Sequence, residues 1–318
     1  MDFINKKTTE LSDNEINQFC SLYTTVFCKA DKSIDSFKKE YMNSALGYSF
    51  HSLMFLDGEL VGAHNEIPVH YIINGEKVIF CFGTDVMIKE GFRNFFNLAK
   101  LVSLSEKALK NDGIMFIFGF PNEKSYSVFN KAFKYRDIGC LNTYVLPYRI
   151  GGINPKFKFL NPFSIVAAKL MSSLSVLRTN KQSNSYLIDK DREAQAKYRF
   201  QWFGGKYNIV SVEDFCFVYK IILKDNIKTA FLLDLNVVNP QNLVQAIKYI
   251  IKKDSKNFDL LIYTGKLNFN AFPLIRVPKK LEPKKFKFHG KLIGSEQIDE
   301  RIFSIENWNV NLLCYDLI

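Results

Sequence analysis

Two periodicities divide this chain. Between residues 50 and 88 apolar side chains alternate or run together in β-branched and aromatic stretches, broken at Asp57-Gly58 and Asn74-Gly75, pairs suited to tight hairpin turns. The pattern predicts three antiparallel strands over Ser52–Leu56, Leu60–Ile73 and Glu76–Ile88. Pro68 has no N–H for a ladder, so it demands a bulge or an edge near the middle of the second strand. After the polar turn Lys89–Asn94 the period becomes helical over Phe95–Lys110, and Asp112-Gly113 ends it. Ile114–Gly119 (IMFIFG) reads as a buried strand, Pro121-Asn122 opens another helix, and 137–148 (DIGCLNTYVLPY) reads as one strand returning beside Ile114–Gly119. Upstream, Ser12 and Glu15 stand at capping-box spacing before a stripe of Ile16, Phe19, Cys20, Tyr23 and Phe27 that suits core packing. Ile34–Met42 predicts a second short helix.

The second half repeats that order. Asn208–Val212, Phe215–Leu223 and Lys228–Val237 read as strands, with a turn at Lys224-Asp225-Asn226. Asn239-Pro240 then supplies an N-cap followed by proline at the first helical position. Leu243, Ile247, Ile250 and Ile251 form one apolar face, and Asp259–Tyr263 is the next strand, with further strand-like pieces at Leu274–Val277, Lys287–Leu292 and Val310–Tyr315. Between the halves, GGINPKFKFLNPF is a connector and Asn161-Pro162 caps a helix over Phe163–Leu177, followed by a polar loop at Thr179–Asn184. That helix is shorter than a membrane span requires. It reads as packed between two domains; the alternative is an interfacial helix flanked by Lys156, Lys158, Lys169 and Arg178. The fold class is α/β (α+β), with domains at 1–150 and 196–318 joined by a linker at 151–195. Gly204-Gly205 marks one more loop.

The elements around TDVMIKEGFRNFFNLAKLVS and FIFGFPNEKSYSVFNKAFKYRDIG, with the hairpin SLMFLDGELVGAHNEIPV before them, resemble the GNAT superfamily of acyl-CoA-dependent N-acyltransferases over about residues 8 to 148. The resemblance implies two acyl-CoA N-acyltransferase-like domains, each a mixed, mostly antiparallel sheet flanked by helices, the second one degenerate. It implies acetyl-CoA or another acyl-CoA as co-substrate and no metal. The thioester's arm would lie along Val86, Met87 and Ile88, with its phosphates near Arg93, Asn94, Phe95, Phe96 and Asn97. Asn122 matches the asparagine opening the family's next helix. The turn departs from the family's Arg/Gln-x-x-Gly-x-Gly/Ala pattern: in the best register Gly91, Asn94 and Phe96 take its three defining positions. Glycine lets backbone approach phosphate closely; asparagine is tolerated there, and Phe96 is bulky. The second half's turn, Asp234–Asn239, has no glycine, so it is not expected to bind the same donor.

Acylating an amine needs a proton acceptor for the amine and an acid for the departing thiolate. The resemblance makes Asp85 and Glu66 the candidate bases, each with a plain structural alternative: a strand-end hydrogen bond for Asp85 and a surface ion pair for Glu66. The family's acidic tyrosine falls at Phe129 by register, which leaves Tyr126, one turn earlier, as the candidate acid. Serine-hydrolase, zinc-protease and P-loop motifs are missing, and His51, His64, His70 and His289 have no paired ligand spacing.

Charge then narrows the partners. Residues 1–150 hold 17 basic and 17 acidic side chains, so the whole net charge of +11 falls in 151–318. A lysine-rich solvated surface accounts for it, or an anionic partner such as a carrier-linked substrate or, as a peripheral membrane contact, lipid headgroups. The resemblance to tandem GNAT-like proteins implies an amine acceptor on an anionic carrier, such as an amino sugar in surface polysaccharide synthesis, which the basic half suits. A small amine is the alternative acceptor. A Fem-type transferase using aminoacyl-tRNA is the lesser enzymatic alternative, and a catalytically inactive GNAT-like binding module is the non-enzymatic one; DNA is not expected. Six cysteines without CxxC or ligand spacing read as buried free thiols, and the N-terminus lacks a signal-peptide shape, so the expected compartment is the cytoplasm.

Overall fold

Both Asx-Gly turns fold as the residue types require. Asp57 and Asn74 take left-handed conformations (φ 49° and 51°), and Gly58 and Gly75 follow at 84° and 88°. The computed structural model describes residues 1–28, 32–174, 187–201, 207–212, 214–282, 284–294 and 298–315. The predicted loops at Thr179–Asn184 and Gly204-Gly205, and residues 175–177 of the predicted linker helix, lie outside the described residues.

Along the chain come β1 (Asp2–Lys7), α1 (Asp13–Phe27), α2 (Ile34–Tyr41), β2 (Phe50–Leu56), β3 (Glu59–Ile73), β4 (Glu76–Ile88), α3 (Phe95–Asn111), β5 (Phe116–Gly119), α4 (Glu123–Ala132) and β6 (Arg136–Cys140). There follow β7 (Asn142–Pro147), α5 (Ile150–Ile153), α6 (Asn161–Leu174), β8 (Ile188–Lys190), α7 (Arg192–Ala196), β9 (Asn208–Val212), β10 (Phe215–Lys224) and β11 (Ile227–Leu235). The last elements are α8 (Pro240–Asp254), β12 (Leu260–Gly265), β13 (Ile275–Arg276) and β14 (Lys287–Leu292). Val310–Tyr315, predicted as a strand, instead holds a 3-10 turn at Leu312–Cys314, because Asn311 caps it by accepting the Leu313 N–H.

The chain forms two compact units. The first comprises Met1–Gly139, Leu187–Gly205 and Lys287–Ser304, the second Cys140–Tyr186, Lys206–Phe286 and Ile305–Ile318. These divisions cut across the expected boundaries at 150 and 195. The predicted strand 137–148 breaks at Leu141: β6 stays in the first sheet, and β7 enters the second, paired with β12 and β13. The place beside β5 goes to β14, and Gly290 explains the fit. A Cβ there would overlap the Phe116 ring and lie 2.9 Å from the Ile117 carbonyl oxygen.

The first sheet runs β1-β2-β3-β4-β5-β14-β6, with β8 paired to the far end of β3. Its β4–β5 pair is parallel, whereas β1–β2, β2–β3 and β3–β4 are antiparallel. Pro68 sits at a local edge, since β2 ends opposite Glu66 and β8 begins opposite Ile73–Tyr71. α1 and α2 cover one face, and α3 and α4 cover the other over a core of Phe50, Cys81, Val102, Ile117 and Phe129. The second sheet runs β13-β7-β12-β11-β10-β9 with β11–β12 parallel, and α8 buries Leu243, Ile247, Ile250 and Ile251 against it. Each of those side chains contributes about 1.5–3 kcal/mol. Of the cysteines, Cys20 and Cys81 are buried, Cys140, Cys216 and Cys314 are partly covered, and Cys28 is exposed.

Candidate acyl-donor site

β4 and β5 pair at Cys81↔Ile117 and Phe82↔Phe118 and then part. From Gly83 to Ile88, the one strand among the described residues that pairs with β4 is β3. In that stretch β4 bulges: Ala63↔Met87 and Asn65↔Thr84 leave Asp85 and Val86 together opposite His64. Asp85 takes φ 44°, uncommon outside glycine, and the surroundings hold it there. Asn65 Nδ2 donates to the Asp85 carbonyl at 2.7 Å, and Asn65 Oδ1 lies 2.9 Å from His51 Nδ1. His51 is fully buried, and burial pushes its pKa down to about 4, so the ring is neutral. With Asn65 Oδ1 able only to accept, His51 carries its proton on Nδ1. Its bare Nε2 then receives the Thr8 hydroxyl at 2.9 Å.

The bulge answers which way the two carboxylates face. Asp85 turns to the α1/α2 face, where Tyr41 donates its hydroxyl to Oδ2 at 2.5 Å and Lys32 Nζ lies 3.5 Å away. Lys32 also pairs with Glu40 at 2.6 Å. Burial works against the Lys32 charge, but Glu40 and Asp85 more than offset it and raise its pKa. Glu66 points to the opposite face, beneath α3 and α4, and is not the surface ion pair anticipated as its plain alternative. It is fully buried, and among the described residues neither carboxylate oxygen has an aligned hydrogen-bond partner. Burial pushes it up to about 8, opposed in part by the hydroxyl of buried Ser105 on α3. His64 Nε2 approaches Oε1 to 3.2 Å without hydrogen-bond alignment; burial lowers its pKa to about 4, so it brings no charge. At neutral pH this pair is a carboxylic acid beside a neutral imidazole.

The turn after β4 is built from asparagine rather than glycine. Asn94 caps α3, its side chain accepting the Asn97 N–H at 2.9 Å, while Asn97 Nδ2 donates to the Phe92 carbonyl at 2.9 Å. Asn97 is therefore buried and structural. Arg93 is exposed and folds back so that Nε donates to the Ile88 carbonyl at 2.8 Å. The bulk of Phe96 turns outward: the side chain is 63% exposed, with Lys100 Nζ 4.7 Å from its ring centroid. Phe95 stacks on Phe133 at 5.7 Å. Of the arm-binding candidates, Met87 and Ile88 have buried side chains and Val86 packs against the α3/α4 core, which leaves their backbone as the part able to meet a ligand.

Asn122 caps α4 by accepting the Ser125 N–H, again a structural role. Tyr126 stacks on His289 at 5.8 Å under Lys287, both on β14, while Phe129 reaches toward His64 on β3. Sequence reasoning missed Tyr41, Lys32 and Ser105, none of which carries a motif. It also missed a visible signal, the repeat Asn94-Phe95-Phe96-Asn97-Leu98 and Asn239-Pro240-Gln241-Asn242-Leu243. In the second unit Asn239 accepts the Asn242 N–H at 2.7 Å, and Asn242 Nδ2 donates to the Val237 carbonyl at 3.0 Å, the same device. There β11 also runs past its last β12 pair, Leu232↔Tyr263, but Asn311 bridges that stretch, donating Nδ2 to Asp234 at 2.7 Å and pairing with Gly265 of β12, and Pro240 removes one amide from the helix start.

An anionic thioester fits the first unit on three observations: the unpaired β4 edge, an exposed arginine at its end, and a helix start free of proline. Among the described residues no group of three His, Cys, Asp or Glu is placed to hold a metal ion. No family model matches the sequence, and no curated protein matches it. Solved structures do match. A GCN5-related N-acetyltransferase from Anabaena variabilis superposes with a TM-score of 0.58 at 12% identity over 92% of this chain and 73% of that one. One from Kribbella flavida gives 0.57 at 12% over 92% and 71%. Eis1 from Mycobacterium abscessus gives 0.50 at 12% over 82% of this chain and 65% of its own length. The chain thus has the GNAT fold, laid out as two mixed, mostly antiparallel sheets flanked by helices.

Proposed function

We propose that the chain is an N-acyltransferase that moves an acyl group from an acyl-CoA-type thioester, acetyl-CoA in the simplest case, to an amine. The observation that carries this reading is the open edge of β4 from Gly83 to Ile88, ending at the start of α3. A bound thioester would supply the activated acyl group. The side of that stretch turned away from β3 would take an amide-bearing arm as a strand takes a neighbour, with Arg93 released from the Ile88 carbonyl as the arm enters. Arg93 and the first amides of α3 receive phosphate. We assign the base to Asp85, which stands in the bulge on the edge itself with its carboxylate oriented by Tyr41. Glu66 holds its proton at neutral pH and lies buried beneath α3, so it is a poor acceptor.

For the acceptor we favour an amine on an anionic carrier, an amino sugar being the simplest such group; the basic excess of residues 151–318 supports it. Unpaired cysteines favour a reducing compartment, the cytoplasm. The test is release of free thiol from acetyl-CoA in the presence of small amines and nucleotide-linked amino sugars. Asp85→Asn should cut turnover by about 10²–10⁴-fold while leaving CoA affinity within about twofold. Unchanged turnover in that variant removes Asp85 as the base. Salt-sensitive tRNA retention without any CoA binding favours aminoacyl-tRNA chemistry instead, and binding of neither leaves a non-catalytic module.

A further inference from the structure

Helix α6 sets only part of its apolar bulk, Ile165, against the second core. Its buried face is Ser164, Ala168 and Ser172, with Ser164 Oγ donating to the Tyr148 carbonyl at 3.0 Å and Ser172 Oγ to the Ala168 carbonyl at 2.7 Å. Its exposed face carries the bulk: Phe163 is 72% exposed, Val166 55%, Leu170 57% and Leu174 57%, and Phe159, just upstream, is 71% exposed. Spacings of three and four place these side chains along one stripe. A surface helix normally turns its large apolar side chains inward, so an uncovered stripe of this kind marks a contact surface.

Charge identifies what covers it. Between Asp137 and Asp189 the sequence has no acidic residue, while Arg149, Lys156, Lys158, Lys169, Arg178 and Lys181 all fall in that interval. Lys156, Lys158 and Lys169 are exposed, and Lys169 stands on the helix itself between Val166 and Leu170. Two copies of this stripe placed face to face would bring like charges together. Bulky apolar side chains bordered by lysines match the boundary between acyl chains and anionic headgroups, where lysine stems lie along the apolar layer and their ammonium groups reach phosphate. No helix among the described residues is long and apolar enough to cross a membrane. We infer that α6 is a docking surface for an anionic lipid bilayer, lying in the headgroup plane with Phe163, Val166, Leu170 and Leu174 immersed.

The full chain should float with vesicles of phosphatidylcholine mixed with phosphatidylglycerol and stay behind with phosphatidylcholine alone, and added salt should release it. Replacing Lys156, Lys158 and Lys169 together by Gln should weaken vesicle binding about a hundredfold, roughly fivefold per lysine. Phe163→Ser with Leu170→Ser should abolish it at unchanged Tm, since neither side chain is packed. The inference is overturned if the wild type ignores the anionic vesicles, or if the double variant binds them as well as the wild type does. It is equally overturned if the wild type is a dimer in sedimentation that the double variant converts to monomer, because a second copy would then be the cover.

Discussion

Replacing Glu66 by glutamine should make the protein more resistant to alkali. In the unfolded chain this carboxyl titrates near 4.5, and in the folded one burial pushes it up to about 8. Between those values the folded protein keeps a proton that the unfolded chain has released. Stability therefore falls as pH rises from about 4.5 to about 8 and levels off above that. At about 1.4 kcal/mol per pKa unit, the integrated loss is on the order of 3–5 kcal/mol. Glutamine preserves the shape and cannot ionise, so Glu66→Gln removes the slope. Urea unfolding of both proteins across about pH 5 to 9 should give a stability difference in favour of the variant that grows by about 1.4 kcal/mol per pH unit in mid-range and then saturates near pH 8. His64 and Ser105 remain in both proteins, so their contributions cancel to first order. Parallel stability curves would mean that Glu66 is ionised when folded, which would refute the burial reasoning and restore it as a candidate base.

Three further outcomes follow from the same geometry. Asn94→Ala and Asn239→Ala should each cost about 1 kcal/mol in chemical denaturation, and Asn94→Ala alone should also weaken CoA binding; a larger CoA effect from Asn239→Ala would contradict the assignment of the donor site to the first unit. Gly290→Ala should lower Tm by several degrees, since overpacking against Phe116 and Ile117 costs about 1–3 kcal/mol, and an unchanged Tm would mean β14 is not seated there. Burial holds His51, His64 and His289 each at about 4, below the unfolded value of 6.5. The unfolded chain takes up protons first, so stability should fall as pH drops from about 6.5 toward 4. Measured in the Glu66→Gln background to remove the opposing carboxyl slope, a flat acid limb would show that these rings are accessible.

The strands and helices flanking the site were legible because each carried its own punctuation. Asn-Gly and Asp-Gly turns, the Ser12–Glu15 capping box and the Asn239-Pro240 start are local signals, and each appears as read. What the sequence hid was non-local. Nothing in DIGCLNTYVLPY says that its two halves belong to different sheets, because the partner that displaces β7 from β5 lies more than a hundred residues away at Gly290. The faces of Asp85 and Glu66 were unreadable for a related reason. Strict alternation places Asp85 on the same face as Cys81, and only a two-residue bulge held by Asn65 carries it across. Phe96 looked obstructive because bulk is visible in a sequence and direction is not. In α6 the inward residues are Ser164, Ala168 and Ser172 with Ile165 half-buried beside them, a choice of face that a hydrophobic pattern cannot foresee.

The central claim is that the β4 edge and the start of α3 receive a CoA thioester. Isothermal titration of the full chain with acetyl-CoA at low ionic strength tests it most directly. The account predicts one site per chain, supplied by the first unit, with affinity reduced about tenfold in Arg93→Ala, where a phosphate contact is lost. Absence of heat and of any thermal stabilisation at millimolar acetyl-CoA, or binding indifferent to Arg93, would contradict it.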